Sequence, residues 1–174
     1  MDDFERIVSE HYEALYRFAF SLIREEAGAR DLTQQEFYVW AEKGHQLRER
    51  SKVKTWLFTT LHRDFLRARR TMQRYHHYSL DEIQVEESPL LATEQTDEAD
   101  HSPVLAALAR VDEIFQAAVA LFYLEEHSYY EISEILQVPM GTVKSRIARG
   151  VAQLKKILLP SQDTEKGNDE ILPR

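Results

Sequence analysis

A chain of 174 residues and 20.4 kDa, with 43% hydrophobic and 30% charged residues, has room for one ordinary domain or two small ones. It has no cysteine, which excludes disulfides, Cys-ligated zinc, iron–sulfur clusters and a thiol nucleophile, and its 5 Gly and 5 Pro leave little turn material for an all-β fold or for Gly-rich phosphate loops. The net charge of −8 argues against nucleic acid only as an average: residues 79–103 hold 8 acids and no Lys or Arg, whereas residues 1–78 hold 14 Lys+Arg against 12 Asp+Glu.

In chain order, Phe4, Ile7, Val8, Leu15, Phe18, Ala19, Leu22 and Ile23 recur at three- and four-residue steps and predict a long amphipathic helix. Gly28 interrupts that pattern. Asp31 is the expected cap of a second helix, with Thr33, Phe37, Trp40 and Ala41 on its apolar stripe and Gly44 at its end. Residues 43–54 read as a short basic loop. Val53, Trp56, Leu57, Thr60, Leu61, Phe65 and Ala68 predict a third helix, whose end carries Arg63, Arg67, Arg69, Arg70 and Arg74. Three such helices sharing one core make a small bundle. Trp40 and Trp56 are assigned to that core, Trp56 in preference to a role as a base-stacking platform.

Residues 79–103 include Pro89 and Pro103 and few large apolar side chains, so they bury too little surface to offset their ordering entropy. They read as a flexible linker. Helical periodicity resumes with Leu105, Leu108 and Val111, then Ile114, Ala118, Leu121 and Phe122. Ser128, followed three residues later by Glu131, has the form of a capping box for a helix over 129–136. Gln137 and Val138 make a tight turn, and Pro139 suits the first turn of a helix running to about Leu159. The expected fold is all-α: two small domains at 1–78 and 104–160, the acidic linker 79–103 between them, and a frayed tail at 161–174.

The segment 128–149 has the physics of a helix-turn-helix. Ile132, Ile135 and Leu136 face inward on its first helix, and Val143 and Ile147 on its second. Thr142, Lys144, Ser145, Arg146, Ala148 and Arg149 then point outward, with three cations and no acid among them. A recognition helix needs such a face, because base edges are read by small and hydrogen-bonding groups and phosphates are held by cations. An ordinary solvated basic helix has the same spacing. Metal binding is not expected, since His76 and His77 are adjacent rather than one helical turn apart. Glu125-Glu126 and Asp112-Glu113 read as solvated helix ends rather than acid/base pairs, so no catalytic residue and no cofactor is expected. No apolar run reaches a membrane-spanning length of roughly 18 residues and no signal peptide is visible, which makes a cytoplasmic location the expectation.

The stretch ALFYLEEHSYYEISEILQVPMGTVKSRIARG closely resembles region 4 of bacterial extracytoplasmic-function (ECF) sigma factors, members of the sigma-70 family. Independently, ARDLTQQEFYVW resembles their region 2.2 and KTWLFTTLHRDFLRARR their regions 2.3–2.4. The resemblance covers roughly residues 4–75 and 104–158. It implies a protein that is not an enzyme: one that binds core RNA polymerase, through the β′ coiled coil and the β subunit, directs it to promoter DNA and helps open the duplex.

On this resemblance the polymerase contact falls to Asp31, Leu32, Gln34, Gln35 and Phe37. Gln35 replaces the usual Glu, and Trp40 precedes the usual Trp position by one. The −10 element falls to Arg48, Arg50, Lys52, Lys54, Thr59, His62, Arg63, Arg67 and Arg70, with Lys54, Thr59, His62, Arg63 and Arg67 along an exposed helix edge. His62-Arg63 stands where the family often has Arg-Asn. Melted DNA needs such cations for its backbone. The −35 element falls to Thr142, Lys144, Ser145, Arg146, Ala148 and Arg149, and Glu126 stands where the family often has Gly. The linker is either a spacer or a segment that threads polymerase channels, with Asp81, Glu82, Glu86 and Glu87 mimicking phosphates. An anti-sigma factor is a common partner in the family. A freestanding helix-turn-helix regulator, binding operator DNA as a dimer, and a protein-binding helical adaptor are the competing readings.

Overall fold

The computed structural model describes residues 3–79 and 103–159, and among these every regular element is helical. The helices are α1 (Asp3–Ile23), α2 (Glu26–Lys43), α3 (Val53–Ser79), α4 (Pro103–Leu108), α5 (Glu113–Tyr123), α6 (Tyr129–Leu136) and α7 (Met140–Leu158). Two 3-10 turns, Gly44–Gln46 and Arg50–Lys52, punctuate the loop before α3. Most of the expected linker and the tail, including Asp81, Glu82, Glu86 and Glu87, lies outside the described residues.

The break between α1 and α2 falls earlier than the sequence pattern suggests. Arg24 adopts a left-handed φ of 65°, and the Glu25 carboxylate accepts from the backbone N–H of Ala27 and Gly28, both at 2.7 Å. A long side chain thus caps the helix six residues before Asp31, leaving Gly28 and Asp31 inside α2. Gly44 does end α2, but in a right-handed conformation. Its requirement is space: a Cβ there would lie 2.6 Å from Cδ2 of the Trp40 indole. The apolar stripes of α1, α2 and α3 then close on one core around Leu15, Phe18, Phe37, Trp40, Leu57 and Leu61. Phe18 meets Phe58 with ring centroids 5.3 Å apart, and Trp56, half-buried, packs edge-on against Trp40 at 5.2 Å.

The second unit is α4–α7, with Leu108, Val111, Ala118, Leu121, Ile132, Ile135, Val143 and Ile147 buried. Ile114, expected on this stripe, is 58% exposed, because α5 begins only at Glu113 and turns Gln116 inward instead. The Gln116 amide nitrogen donates to the carbonyl of Leu108 at 2.9 Å, tying α4 to α5, while its buried amide oxygen has no hydrogen-bond partner. Gln153 of α7 braces the same corner: its amide oxygen accepts from the Asp112 N–H at 2.8 Å and its amide nitrogen donates to the Asp112 carboxylate at 2.6 Å. The two units do not stand apart. α1 packs on α5, and α3 packs on α6.

At the crossing of α5 and α7, Gly150 is buried, and a Cβ there would collide with the Val119 side chain and come within 3.1 Å of the Phe115 Cβ. Gly150→Ala is therefore expected to destabilise the chain by about 1–3 kcal/mol, helix propensity notwithstanding, since a packed core accommodates an added methyl poorly. Urea unfolding of both proteins measures this.

Candidate nucleic-acid interface

The helix-turn-helix is built as its sequence prescribes. The Ser128 hydroxyl accepts from the Glu131 N–H at 3.3 Å, while the Glu131 carboxylate accepts from the Ser128 N–H at 2.8 Å, completing the capping box of α6. The left-handed Gln137 (φ 55°, ψ 45°) closes α6, and Pro139 takes the N-cap of α7, one position before the expected first turn. Val143 and Ile147 are buried, which rotates Lys144, Ser145, Ala148 and Arg149 into solvent. The Lys144 ammonium lies 5.7 Å from the centroid of the Tyr129 ring, which stacks on Phe122 at 5.0 Å. Those contacts orient Lys144 without neutralising it. Thr142 and Arg146 are half-buried, and the Arg146 charge bears on His62 of α3.

On the first unit, α3 presents two adjacent faces. Arg63, Arg67, Arg70 and Arg74 follow one another at steps of four, three and four and are all exposed, forming a cationic stripe along the helix. Asp64 lies 4.0 Å from Arg63 and 3.5 Å from Arg67, close enough to attenuate but not cancel it. Arg74 was not among the expected contacts; the same four-three-four spacing identifies it. Lys54, Phe58, His62 and Arg69 line the other face, and it is not free. Lys54 donates to the Glu125 carbonyl at 2.7 Å, the Phe58 ring meets the His127 ring at 4.7 Å, and Arg69 pairs with Glu113. The edge expected to be exposed from Lys54 to Arg67 is thus split. Arg63 and Arg67 are open, whereas His62 is half-buried and its imidazole is lowered to about 4, chiefly by desolvation and then by Arg146. Thr59 is half-buried, with its hydroxyl donating to the Thr55 carbonyl at 2.7 Å. In the preceding loop Arg48 is exposed, Arg50 pairs with Asp3 at 3.0 Å and Lys52 with Glu49 at 3.6 Å.

On α2, Asp31, Gln34 and Gln35 are exposed and Leu32 is half-buried, whereas Phe37 points into the core and stacks on Tyr12 at 6.1 Å. Phe37 therefore supports this face from beneath. Beside it Glu36 is 1% exposed, and neither carboxylate oxygen has a hydrogen-bond partner. Burial pushes its carboxyl up to about 9, with Asp64 adding to the rise and Arg63 opposing it, so Glu36 is a neutral acid at pH 7.

Residues 7–75 match the family model of sigma-70 region 2, and residues 101–154 match that of sigma-70 region 4. The chain belongs to the sigma-70 family. It is 32% identical over 162 residues to the ECF RNA polymerase sigma factor SigE of Mycolicibacterium smegmatis, a match covering 91% of the chain and 62% of that relative. It is 26% identical over 171 residues to the RNA polymerase sigma factor YlaC of Bacillus subtilis, covering 95% of the chain and 97% of YlaC. Its fold superimposes on the sigma factor RpoE from Bartonella quintana, solved in complex with the anti-sigma factor NepR, with a TM-score of 0.74 and 28% identity over 91% of this chain and 98% of that one. CnrH, solved with the cytosolic domain of CnrY, has the same fold at a TM-score of 0.64 and 19% identity, covering 91% of this chain and 89% of CnrH. This sigma factor is of the ECF type and acts in promoter recognition for transcription initiation.

One departure from the family pattern and one buried acid have measurable consequences. Glu126, where the family often has Gly, sits at a left-handed φ of 55°. Only glycine takes that conformation without cost, so Glu126→Gly is expected to raise stability by about 1 kcal/mol in thermal unfolding. Glu36 gives a pH dependence. Its folded value is raised, so its contribution is complete below the unfolded value near 4.5 and is lost as pH rises toward 9, the unfolded chain ionising while the folded one does not. Glu36→Gln is expected to remove that slope and to gain on the wild type between pH 5 and 8, by up to about 1.4 kcal/mol per pH unit. Urea unfolding across that range measures it.

Proposed function

We propose that this sigma factor binds core RNA polymerase and reads one promoter at two separated places. The unit spanning 104–160 holds the −35 duplex through Lys144, Ser145, Arg146, Ala148 and Arg149, with Thr142 at the start of the reading helix. The unit spanning 1–78 takes the melted −10 strand through the arginine stripe of α3 and the basic loop before it. The observation that carries this reading is the solvent-facing surface of α7, where Lys144, Ser145, Ala148 and Arg149 are exposed without an acid among them. Cations of this kind exchange condensed counterions for phosphate contacts, and a hydrogen-bonding, small-residue surface between them reads base edges.

Asp31, Gln34 and Gln35 on α2 form the polymerase-facing patch, with Leu32 at its margin. Gln35 lacks the charge that the family usually places there, so the contact rests more on hydrogen bonds than on ion pairing. The acidic segment 79–103 joins the two units and keeps a negative tether away from DNA. The mechanism is binding rather than catalysis, in the cytoplasm. An anti-sigma factor is the class of regulatory partner we extend to this chain from the Bartonella protein, which is bound to one.

Reconstitution with core polymerase tests the reading. The protein is expected to direct transcription from promoters with two dissimilar boxes and to bind such DNA weakly alone. Lys144→Glu, Arg146→Glu and Arg149→Glu are each expected to reduce −35-dependent initiation by at least about tenfold, given roughly 1–3 kcal/mol for a good base contact. Tight binding to a palindromic site without polymerase, together with no promoter-specific transcription, would identify a freestanding regulator instead.

A further inference from the structure

The three cations that α7 carries between Thr142 and Arg149 are not equivalent as readers of base edges. Arg146 and Arg149 present a planar fork of N–H donors, whose geometry is set before contact. Lys144 presents a compact ammonium on a flexible four-carbon stem, and a freely swinging head settles on a phosphate as readily as on a base. The structure constrains this head. The Lys144 ammonium lies 5.7 Å from the centroid of the Tyr129 ring, within reach of the negative face of the ring. Tyr129 in turn stacks on Phe122, with centroids 5.0 Å apart and planes inclined by 17°, and Phe122 meets Tyr123 edge-on at 4.9 Å. Tyr129 is the first residue of α6, directly after the N-cap Ser128, so the capping box fixes the backbone that carries the ring. Phe122 belongs to α5, and residues of three helices thus meet around one ammonium.

We propose that Tyr129 is a positioning residue for promoter reading: its ring, backed by Phe122, seats the Lys144 ammonium so that Lys144 discriminates a base pair instead of only holding a phosphate. This deepens, and rests on, the assignment of α7 to the −35 duplex. One side of the ammonium faces the ring, which leaves N–H donors free on the other. Two acceptors on a single base edge, O6 and N7 of guanine, suit a cation held in place. The seat shifts the balance between base and phosphate without adding a contact to DNA. Cation–π attraction at an exposed site is worth a factor of about two to five, so base preference at one position changes by about that factor. The ring face supplies the attraction and the hydroxyl does not, so phenylalanine substitutes for Tyr129 and an aliphatic side chain does not.

The seat and its consequence are measured separately. In the free full-length chain, an ammonium held over a ring places the adjoining ε-methylene protons in the ring current. Those of Lys144 are therefore expected upfield of the other lysines by nuclear magnetic resonance. Tyr129→Phe is expected to keep that displacement, and Tyr129→Leu, which leaves an apolar side chain against Phe122, to remove it. With core polymerase, initiation is then compared over a set of −35 elements that differ by one base pair at a time. The position at which Lys144→Ala flattens the preference is the one Lys144 reads. There Tyr129→Leu is expected to reduce the preference about two- to fivefold and Tyr129→Phe to retain it. Once Lys144→Ala is present, Tyr129→Leu is expected to change nothing further. A merely structural Tyr129 would weaken initiation at all elements alike, in the Lys144→Ala background too, and that result overturns the positioning role. An undisplaced Lys144 resonance in the wild type overturns it as well, as does a base preference that survives Lys144→Ala at every position. A displaced resonance in a chain that, with core polymerase, is indifferent to the −35 sequence leaves the seat standing but removes the assignment of α7 to the −35 duplex, and the reading role of Tyr129 falls with it.

Discussion

A carboxylate withdrawn from water sits where the two helical units meet, and the arrangement of the molecule depends on how its charge is met. Burial alone pushes the Glu125 carboxyl above the ordinary carboxylate range, while the paired hydrogen bonds and charge of Arg17 pull it back, and the Lys54 charge helps. The same pairing raises the Arg17 guanidinium. The bidentate geometry identifies the ionised pair as the stable form. Taking one partner of such a pair away typically costs about 3–5 kcal/mol when both are buried, but Arg17 is 38% exposed, so the value here is smaller. Solvent screening at the Arg17 end thus discounts what this one pair contributes to the seam. His127 adds a second condition. Its imidazole is lowered to about 4, mainly by desolvation and then by Lys54, so the neutral ring is the form that fits against Phe58.

Most of the fold was legible from hydrophobic period and cap chemistry. The stripes on α1 and α3, apart from the exposed Phe4 and Ala68 near their ends, the Ser128–Glu131 capping box and the inward pair Val143 and Ile147 lie where spacing put them, since each depends on neighbours within one or two turns. The misplaced start of α2 shows the limit of local rules. Asp31 is a better cap by residue preference, yet Glu25 reaches the free N–H groups once Arg24 adopts the left-handed turn. Gly44 marks the end of α2 as expected, but for the proximity of an indole ring rather than for backbone handedness. What no period could reveal was the packing of one unit on the other. That contact pairs Arg17 with Glu125, 108 positions apart, where the sequence pattern made Glu125 a solvated helix end and singled out nothing at Arg17.

The candidate site divides along the same line. The exposed side of α7 follows from which residues its core claims, so Lys144, Ser145, Ala148 and Arg149 could be named in advance. The α3 contacts could not all be named, because two faces of that helix carry cations and only one is open. Lys54 and His62 differ from Arg63 and Arg67 by about 100–180° of rotation, and the second unit covers the former pair. Phe37 and Glu36 make a similar point on α2. An aromatic inside a recognised motif became support for the surface, and an acid beside the motif became a buried neutral group.

The length of α3 carries a mechanical consequence. At 27 residues it is a rod of about 40 Å, which begins beside the basic loop and hands the chain on from its far tip at Ser79. The connection to Pro103 contains 23 residues, a contour of about 76–83 Å at full stretch. That contour is roughly twice the length of the rod, so the packing of the second unit on the first is set by the contacts of α1 with α5 and of α3 with α6 rather than by the reach of the connection. The rod itself sets how far the point at which the chain leaves the first unit, Ser79, lies from the basic loop before α3.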